Sequence, residues 1–422
     1  MAASAERIET AQAAKARTAG SANAERLRIA VVTPELHRKR GTERVTSEMV
    51  VRLAAEHDVH VFAHYFRAED YPGVQFHSVP VLPWPGLATF LSFYYVSESV
   101  VKRVARRAGA FDVVYSPGPN SAAVDVATAH FCQAKQLELF RSGKHRPPPA
   151  TPLDWAKLTN RWLYARLVAG IETSFYRSRT LRRVLTQSEL LAQDLHRYYG
   201  LPKEKTVTAY PGVDLPSFSP EARESLRTKA RKAIGLGETD FVFAFLGNNW
   251  LIKGLYNVLH AMAQLPDAML IIVGADFEPP ASWEKLARKL GVLDRLTFLP
   301  RRTDVIFYYA AADALLAPSV YDTFGLMPLE AMACGLPCVI TRGMGVAEIV
   351  SSNEAIVLEN GEDAAALARA MRGLMNDEEL RAKLVANGIE LAQRHTWEGM
   401  YAATLDELAC AARTASAMRR IL

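Results

Sequence analysis

The chain has 422 residues, half of them hydrophobic and 23% charged, a balance that excludes global disorder and fits a globular enzyme. One hydrophobic core stops growing well short of this length, so two domains of roughly 200 residues each are expected. The net charge of +5 concentrates its basic excess in the N-terminal half; no nucleic-acid motif accompanies it, which favours an anionic membrane surface or an acidic acceptor over nucleic acid.

Residues 1–26 are Ala-rich and broken by charges, so they read as a disordered leader and not as a signal peptide. Leu27–Thr33 is a β-branched run followed by a polar loop, and Thr46–Ala55 carries apolar residues at helical spacing, together a β-α unit. Further strands are expected at Val59–Ala63, Phe111–Tyr115, Ala127–Phe131 and Arg183–Gln187. Arg141–Pro149 reads as a stiff basic loop. Trp162–Arg183 reads as a helix mixing arginines with aromatics, a face suited to an anionic membrane or to a solvated surface over core aromatics. Pro211–Thr239, Pro-bearing and charged, reads as the interdomain connection, with the boundary at residue 215.

A second strand series follows at Phe241–Leu246, Ala268–Val273, Leu296–Leu299, Ala314–Ala317 and Pro337–Ile340, with helices such as Leu255–Leu265 and Ala364–Met375 between. The fold class is therefore α/β: two Rossmann-like, doubly wound domains, over 27–214 and 215–397. The last segment, 398–422, reads as a helix. Ligands of such sheets sit beyond the carboxyl ends of the strands, so the site belongs in the strand-to-helix loops. Neither half carries Gly-x-Gly-x-x-Gly after its first strand, which argues against dinucleotide chemistry. No apolar run reaches the roughly 18–20 residues of a membrane span, leaving peripheral contact. Cys132, Cys334, Cys338 and Cys410 form no C-x-x-C pair, so neither a disulfide framework nor a structural metal is indicated, and a cytoplasmic setting fits.

The most informative segment runs from Pro318 to Cys338, where a strand enters a loop and a helix begins near Leu326. Free N–H groups and the positive dipole end at such a terminus favour a diphosphate, and Gly325 permits close backbone approach. Asp322 and, eight positions on, Glu330 supply acceptors for sugar or ribose hydroxyls. The string, above all Glu-Ala-Met-Ala-Cys-Gly-Leu-Pro, resembles the E-x7-E region of the family 4 glycosyltransferases, retaining enzymes of the GT-B fold, with Asp322 in place of the first glutamate. The resemblance implies donor contacts from Thr323, Phe324, Gly325, Leu326, Met327 and Glu330.

Phe245–Leu255 follows the first strand of the second domain and contains Gly-x-x-aromatic-x-x-Lys-Gly, a form similar to lipopolysaccharide-core glucosyltransferases. It implies that Lys253 neutralises the leaving diphosphate, with Asn248 or Asn249 where an arginine often stands, and it points to UDP-glucose as donor. Arg302, or its neighbour Arg301, is expected beside the base. In the first domain, Arg38-Lys-Arg-Gly-Thr-Glu-Arg44 matches the family's Gly-Gly-x-Glu-Arg loop with one glycine missing, which places Gly41 and Thr42 near the donor phosphate; His130 corresponds to a histidine beside the transferred sugar.

Lys253, His130 and Asp322 are thus the expected catalytic residues. The resemblance further implies a front-side reaction without a protein nucleophile and no metal or other cofactor. It implies a saccharide or lipid-linked acceptor in cell-envelope or exopolysaccharide synthesis and a C-terminal helix returning to the first domain. Two alternatives share these features: a sugar-nucleotide epimerase of the same fold, and a non-catalytic sugar-nucleotide-binding protein.

Overall fold

The computed structural model describes residues 26–38, 41–83, 86–142, 152–275, 281–302 and 304–421. Almost all of the expected leader and most of the Arg141–Pro149 loop lie outside the described residues, as do Lys39, Arg40, Asp276 and Thr303. The N-terminal strands are β1 (Arg28–Val32), β2 (Glu35–Leu36), β3 (Asp58–Ala63), β4 (Tyr65–Phe66), β5 (Gln75–Ser78), β6 (Val113–Ser116), β7 (Val126–Ala129), β8 (Arg183–Thr186) and β9 (Thr206–Thr208). They alternate with α1 (Gly41–Glu56), α2 (Gly86–Ala108), α3 (Gln133–Ser142), α4 (Pro152–Tyr176) and α5 (Glu189–Tyr199). The second half holds β10 (Phe241–Leu246), β11 (Ala268–Ala275), β12 (Leu296–Pro300), β13 (Ala314–Ala317), β14 (Cys338–Thr341) and β15 (Ile356–Leu358). Its helices are α6 (Pro220–Ile234), α7 (Trp250–Lys253), α8 (Leu255–Met262), α9 (Ala281–Lys289), α10 (Ile306–Ala311), α11 (Leu326–Ala333), α12 (Ala364–Asn376), α13 (Glu378–Arg394) and α14 (Trp397–Ile421).

Seven strands form one parallel sheet in the order β5-β3-β1-β6-β7-β8-β9, and six form the other in the order β12-β11-β10-β13-β14-β15. Each order reverses direction around its first strand, β1 or β10, which is the doubly wound arrangement that opens a crevice at the carboxyl edge. The central strands are buried on both faces, as helix-covered parallel strands must be: Val31, Val61 and Val113 fill one core, Ala244, Ile271 and Leu315 another.

Two expectations need correcting. The stretch expected as interdomain connection, 211–239, contains α6, whose Ser219 caps its first turn and whose Gly235 closes it in the left-handed conformation. Arg223 and Arg227 of α6 donate to the Ala312 carbonyl, so this helix belongs to the second domain. The helix expected over Trp162–Arg183 instead starts at Pro152 and ends at Tyr176, and Arg183 opens β8.

The C-terminal helix α14 leaves the second domain and buries Trp397, Met400, Leu408 and Ala411 in the core of the first. Its charged flanks are anchored there as well, Glu398 to Arg52 at 2.8 Å and Glu407 to Arg183 at 2.9 Å. Where the chain crosses between domains, Val213 bridges Thr396. A side chain at Gly212 would overlap the Thr396 backbone, its Cβ lying 2.1 Å from that carbonyl carbon.

Candidate functional site: the interdomain cleft

The carboxyl ends of the two sheets face each other, and the loops between them touch. β13 leads into Pro318–Gly325 and then into α11, which begins with Gly325 at φ +86° and no side-chain cap. The first N–H groups of a helix have no partner within it, so those at the start of α11 are open to an anion, with the dipole adding favourable potential. A side chain at Gly325 would place its Cβ 2.5 Å from Met344 Cε and 3.1 Å from Asp322 Oδ2. The neighbouring loop is stitched to this one: Asp322 N–H donates to the Gly343 carbonyl at 2.9 Å, and Gly345 N–H donates to the Asp322 carbonyl at 3.0 Å.

Beside this helix start, Lys253 at the end of α7 pairs with the Asp322 carboxylate. The lysine stem lies against Gly247 after β10, and Gly254 turns the chain under Pro318, where a side chain would strike the Pro318 carbonyl. Two of the three expected catalytic residues therefore meet at one point. Asn248 is exposed, and Asn249 contributes its carbonyl to the Lys253 N–H at 2.9 Å.

Glu330 lies one turn further along α11, 6% exposed. Its Oε1 accepts from Arg44 Nη1 at 2.6 Å, across the domain boundary, and its Oε2 accepts from the Tyr309 hydroxyl at 3.1 Å. Burial raises its pKa, which the Arg44 guanidinium and the Tyr309 bond oppose. Arg44 also lies 5.1 Å over the Phe218 ring. A carboxylate expected to accept from sugar or ribose hydroxyls thus already holds an arginine of the other domain.

Leu326 packs on the hydrophobic cores of both domains, and a Cβ on Gly41 would lie 3.7 Å from its Cδ1. The Gly41 loop and the α11 start are therefore in contact, as a shared phosphate site requires. Met327 is half-buried. The Thr323 carbonyl accepts from Ser188 Oγ at 2.5 Å, a second link between domains. Phe324 has its side chain in the core near Tyr210, so only its backbone can serve a ligand. Arg302 is exposed at the end of β12, paired with Asp304 at 2.7 Å and stacked on Phe307, so a base beside it meets an arginine already engaged.

His130 follows β7, 4% exposed, and lines a pocket of about 320 Å³ in the first domain together with Thr42, Asn120, Phe131, Tyr164 and Glu172. Burial pushes its pKa down to about 4, so the ring is neutral at physiological pH. Glu172, buried in the same wall, accepts from Gln133 N–H at 2.9 Å, and burial raises it to about 7. Glu35 and Glu43 also line this pocket, and ligand atoms of Glu35, His37 and Glu43 come within 4.8 Å of one another, a group able to hold a cation. Sequence reading saw no such cluster because Glu35 lies on β2 and His37 just past its end, while Glu43 arrives from α1.

Sequence reading also missed the interdomain partners Arg44, Ser188 and Glu348. Glu348 accepts from the N–H groups of Glu189 and Leu190 at 2.8 and 2.7 Å, capping α5 from the opposite domain. Arg44 stood inside the Gly-Thr-Glu-Arg string; nothing in a sequence marks a partner 286 positions away.

Two parallel, doubly wound domains closing loop to loop over a helix-start anion site define a GT-B glycosyltransferase architecture. Glycosyltransferase Family 4 matches residues 39–216 and glycosyl transferases group 1 matches residues 227–391. The chain belongs to the family 4 glycosyltransferases. The D-inositol 3-phosphate glycosyltransferase of Xylanimonas cellulosilytica is 34% identical over 230 residues, 53% of this chain and 55% of that one; its Catenulispora acidiphila counterpart is 31% identical over 238 residues, again 53% and 55%. The chain thus spans about half the length of these curated relatives. WaaG, a glycosyltransferase involved in lipopolysaccharide biosynthesis, superposes with a TM-score of 0.71 at 21% identity, covering 90% of this chain and 99% of that one. Anabaena HepE in complex with UDP and glucose gives 0.67 at 18% identity, covering 91% and 99%. These two likenesses concern the fold. Among the described residues no helix is long and apolar enough to cross a membrane.

Proposed function

We propose that this chain is a retaining glycosyltransferase that moves glucose from UDP-glucose to a saccharide or lipid-linked acceptor in cell-envelope or exopolysaccharide synthesis. The observation that carries the reading is the Lys253–Asp322 pair at the uncapped, glycine-initiated start of α11, with the Gly41 loop against Leu326. The diphosphate takes the N–H groups of that helix start and competes with Asp322 for Lys253. The freed Asp322 then accepts from hydroxyls of the transferred sugar.

Glu330 keeps further lone pairs while bound to Arg44 and Tyr309, so a ribose diol shares the carboxylate or displaces the arginine. The C1–O bond to the diphosphate breaks with its electron pair on the leaving oxygen. The acceptor hydroxyl attacks C1 from the same face, and its proton passes to the departing phosphate. Lys253 and the helix dipole stabilise the charge that accumulates there, the kind of preorganised electrostatic help that dominates such catalysis. No metal is needed at that phosphate site.

The acceptor enters the pocket lined by His130 and Glu172. Exposed Tyr95, Trp155, Leu163 and Leu167 on α2 and α4, with Arg166 stacked on Trp162, support peripheral contact with an anionic membrane at the cytoplasmic face.

A thermal-shift series with UDP-, GDP- and ADP-sugars tests the donor. A ligand at 100 times its Kd stabilises by about 2.7 kcal/mol, a rise of several degrees in Tm. UDP-glucose is expected to give the largest rise; a larger one with GDP-mannose contradicts the assignment.

A further inference from the structure

β7 and β8 are neighbouring parallel strands whose last paired residues are Ala129 and Thr186, so His130 and Gln187 leave the sheet side by side. Both are buried. Gln187 Nε2 lies 2.8 Å from His130 Nδ1. An amide NH2 only donates, so the ring nitrogen facing it is the lone-pair nitrogen and the ring proton resides on Nε2. That Nε2 is buried with no hydrogen-bond partner among the described residues, in a residue that lines the pocket beside Thr42 and Asn120. A buried N–H left unmatched is destabilising, so the site is built to meet an acceptor atom that the described residues do not supply.

We infer that Gln187 is a positioning residue that fixes His130 as a neutral Nε2–H donor aimed at a hydroxyl oxygen of the bound sugar. The identity of that oxygen rests on the glycosyl-transfer reading; the tautomer does not. Gln187 is itself held from both sides, because Thr186 ends β8 and Ser188 caps α5 while donating to the Thr323 carbonyl of the second domain. The orientation of the imidazole is thereby tied to the same loop that carries Asp322. The titratable groups lining the pocket with His130 are Glu35, Glu43 and Glu172 from β2, α1 and α4, along with Tyr164 and Tyr176, and none of them replaces Gln187 at Nδ1. Nothing in the sequence marks Gln187: its role follows from strand register alone.

The test is a ¹⁵N spectrum of histidine-labelled protein, with the His130 signals identified by their loss in His130→Asn. Wild-type protein is expected to show the Nε2–H tautomer and no protonation of this ring between pH 8 and 5. Gln187→Glu sets a carboxylate against Nδ1, draws the proton to that nitrogen and brings the titration of the ring into the same range. Gln187→Met, similar in size and unable to donate, gives mixed tautomers and decides the matter if the glutamate variant does not fold. With UDP-glucose, Gln187→Glu is expected to lower kcat/KM on the order of tenfold, the worth of about one hydrogen bond. A wild-type Nδ1–H tautomer, or Gln187→Met and Gln187→Glu spectra identical to wild type, overturns the inference. Because the spectrum needs no turnover, a wild-type Nε2–H signal without sugar transfer would count against the proposed activity and leave the role of Gln187 standing.

Discussion

Lys253 and Asp322, 69 positions apart, are brought together by the packing of β10 against β13. The pairing changes what a substitution does. Lys253→Ala removes the cation that meets the leaving phosphate and is expected to lower turnover on the order of 100- to 1000-fold, about 2.7–4 kcal/mol of barrier. It also strands the partly buried Asp322 without its partner, so Tm falls too. The double variant Lys253→Ala/Asp322→Asn isolates the loss of stability: Tm returns toward wild type. Recovery of turnover in the double variant would place Lys253 in the stability of the loop and outside the reaction. Some residues resist reading from sequence. Phe324 sits inside a donor-binding string but turns its ring into the core, and Glu330 spends its carboxylate on Arg44, a partner that no motif spacing records.

Helices and strands were legible to the degree that their hydrophobic pattern was continuous. The buried central strands β1, β3, β10, β11 and β13 are runs of Val, Ile, Leu, Phe and Ala, and they stood out. The edge strands β5, β9 and β15 are three or four residues long and only partly buried, so no period could form. Helix α6 escaped notice because seven of its 15 residues are charged, although Ser219, Pro220 and Gly235 spell its start and stop. The element on which the proposed function turns is α11, whose N-cap residue Gly325 holds the left-handed conformation that favours glycine. Gly325→Ala is expected to cost about 1–2 kcal/mol from the left-handed backbone alone, more once Met344 is displaced, and to shrink the rise in Tm caused by UDP-glucose. An unchanged donor-induced rise would show that the start of α11 does not hold the diphosphate.

At the scale of the whole molecule, the two-domain plan and the cleft were legible from composition and strand alternation, whereas the way the domains are held together was not. Arg44–Glu330, Ser188–Thr323 and Glu348 on the first turn of α5 all join loops at the carboxyl edges, and α14 ties the far side by burying Met400 and Leu408 in the opposite core. Each link at the cleft is polar, and the Arg44–Glu330 and Ser188–Thr323 links each include a residue assigned to the donor, so under the proposed function donor binding and domain closure act on the same contacts. Under the proposed front-side reaction, acceptor and leaving group occupy one face of the sugar and configuration is retained. The most direct test is the anomer first formed from UDP-[¹³C]glucose, followed by NMR with EDTA present. The account predicts release or transfer of α-configured glucose at a rate that the chelator does not alter. A first-formed β-anomer, or loss of turnover on chelation, would contradict it, the second result pointing to a metal at Glu35, His37 and Glu43.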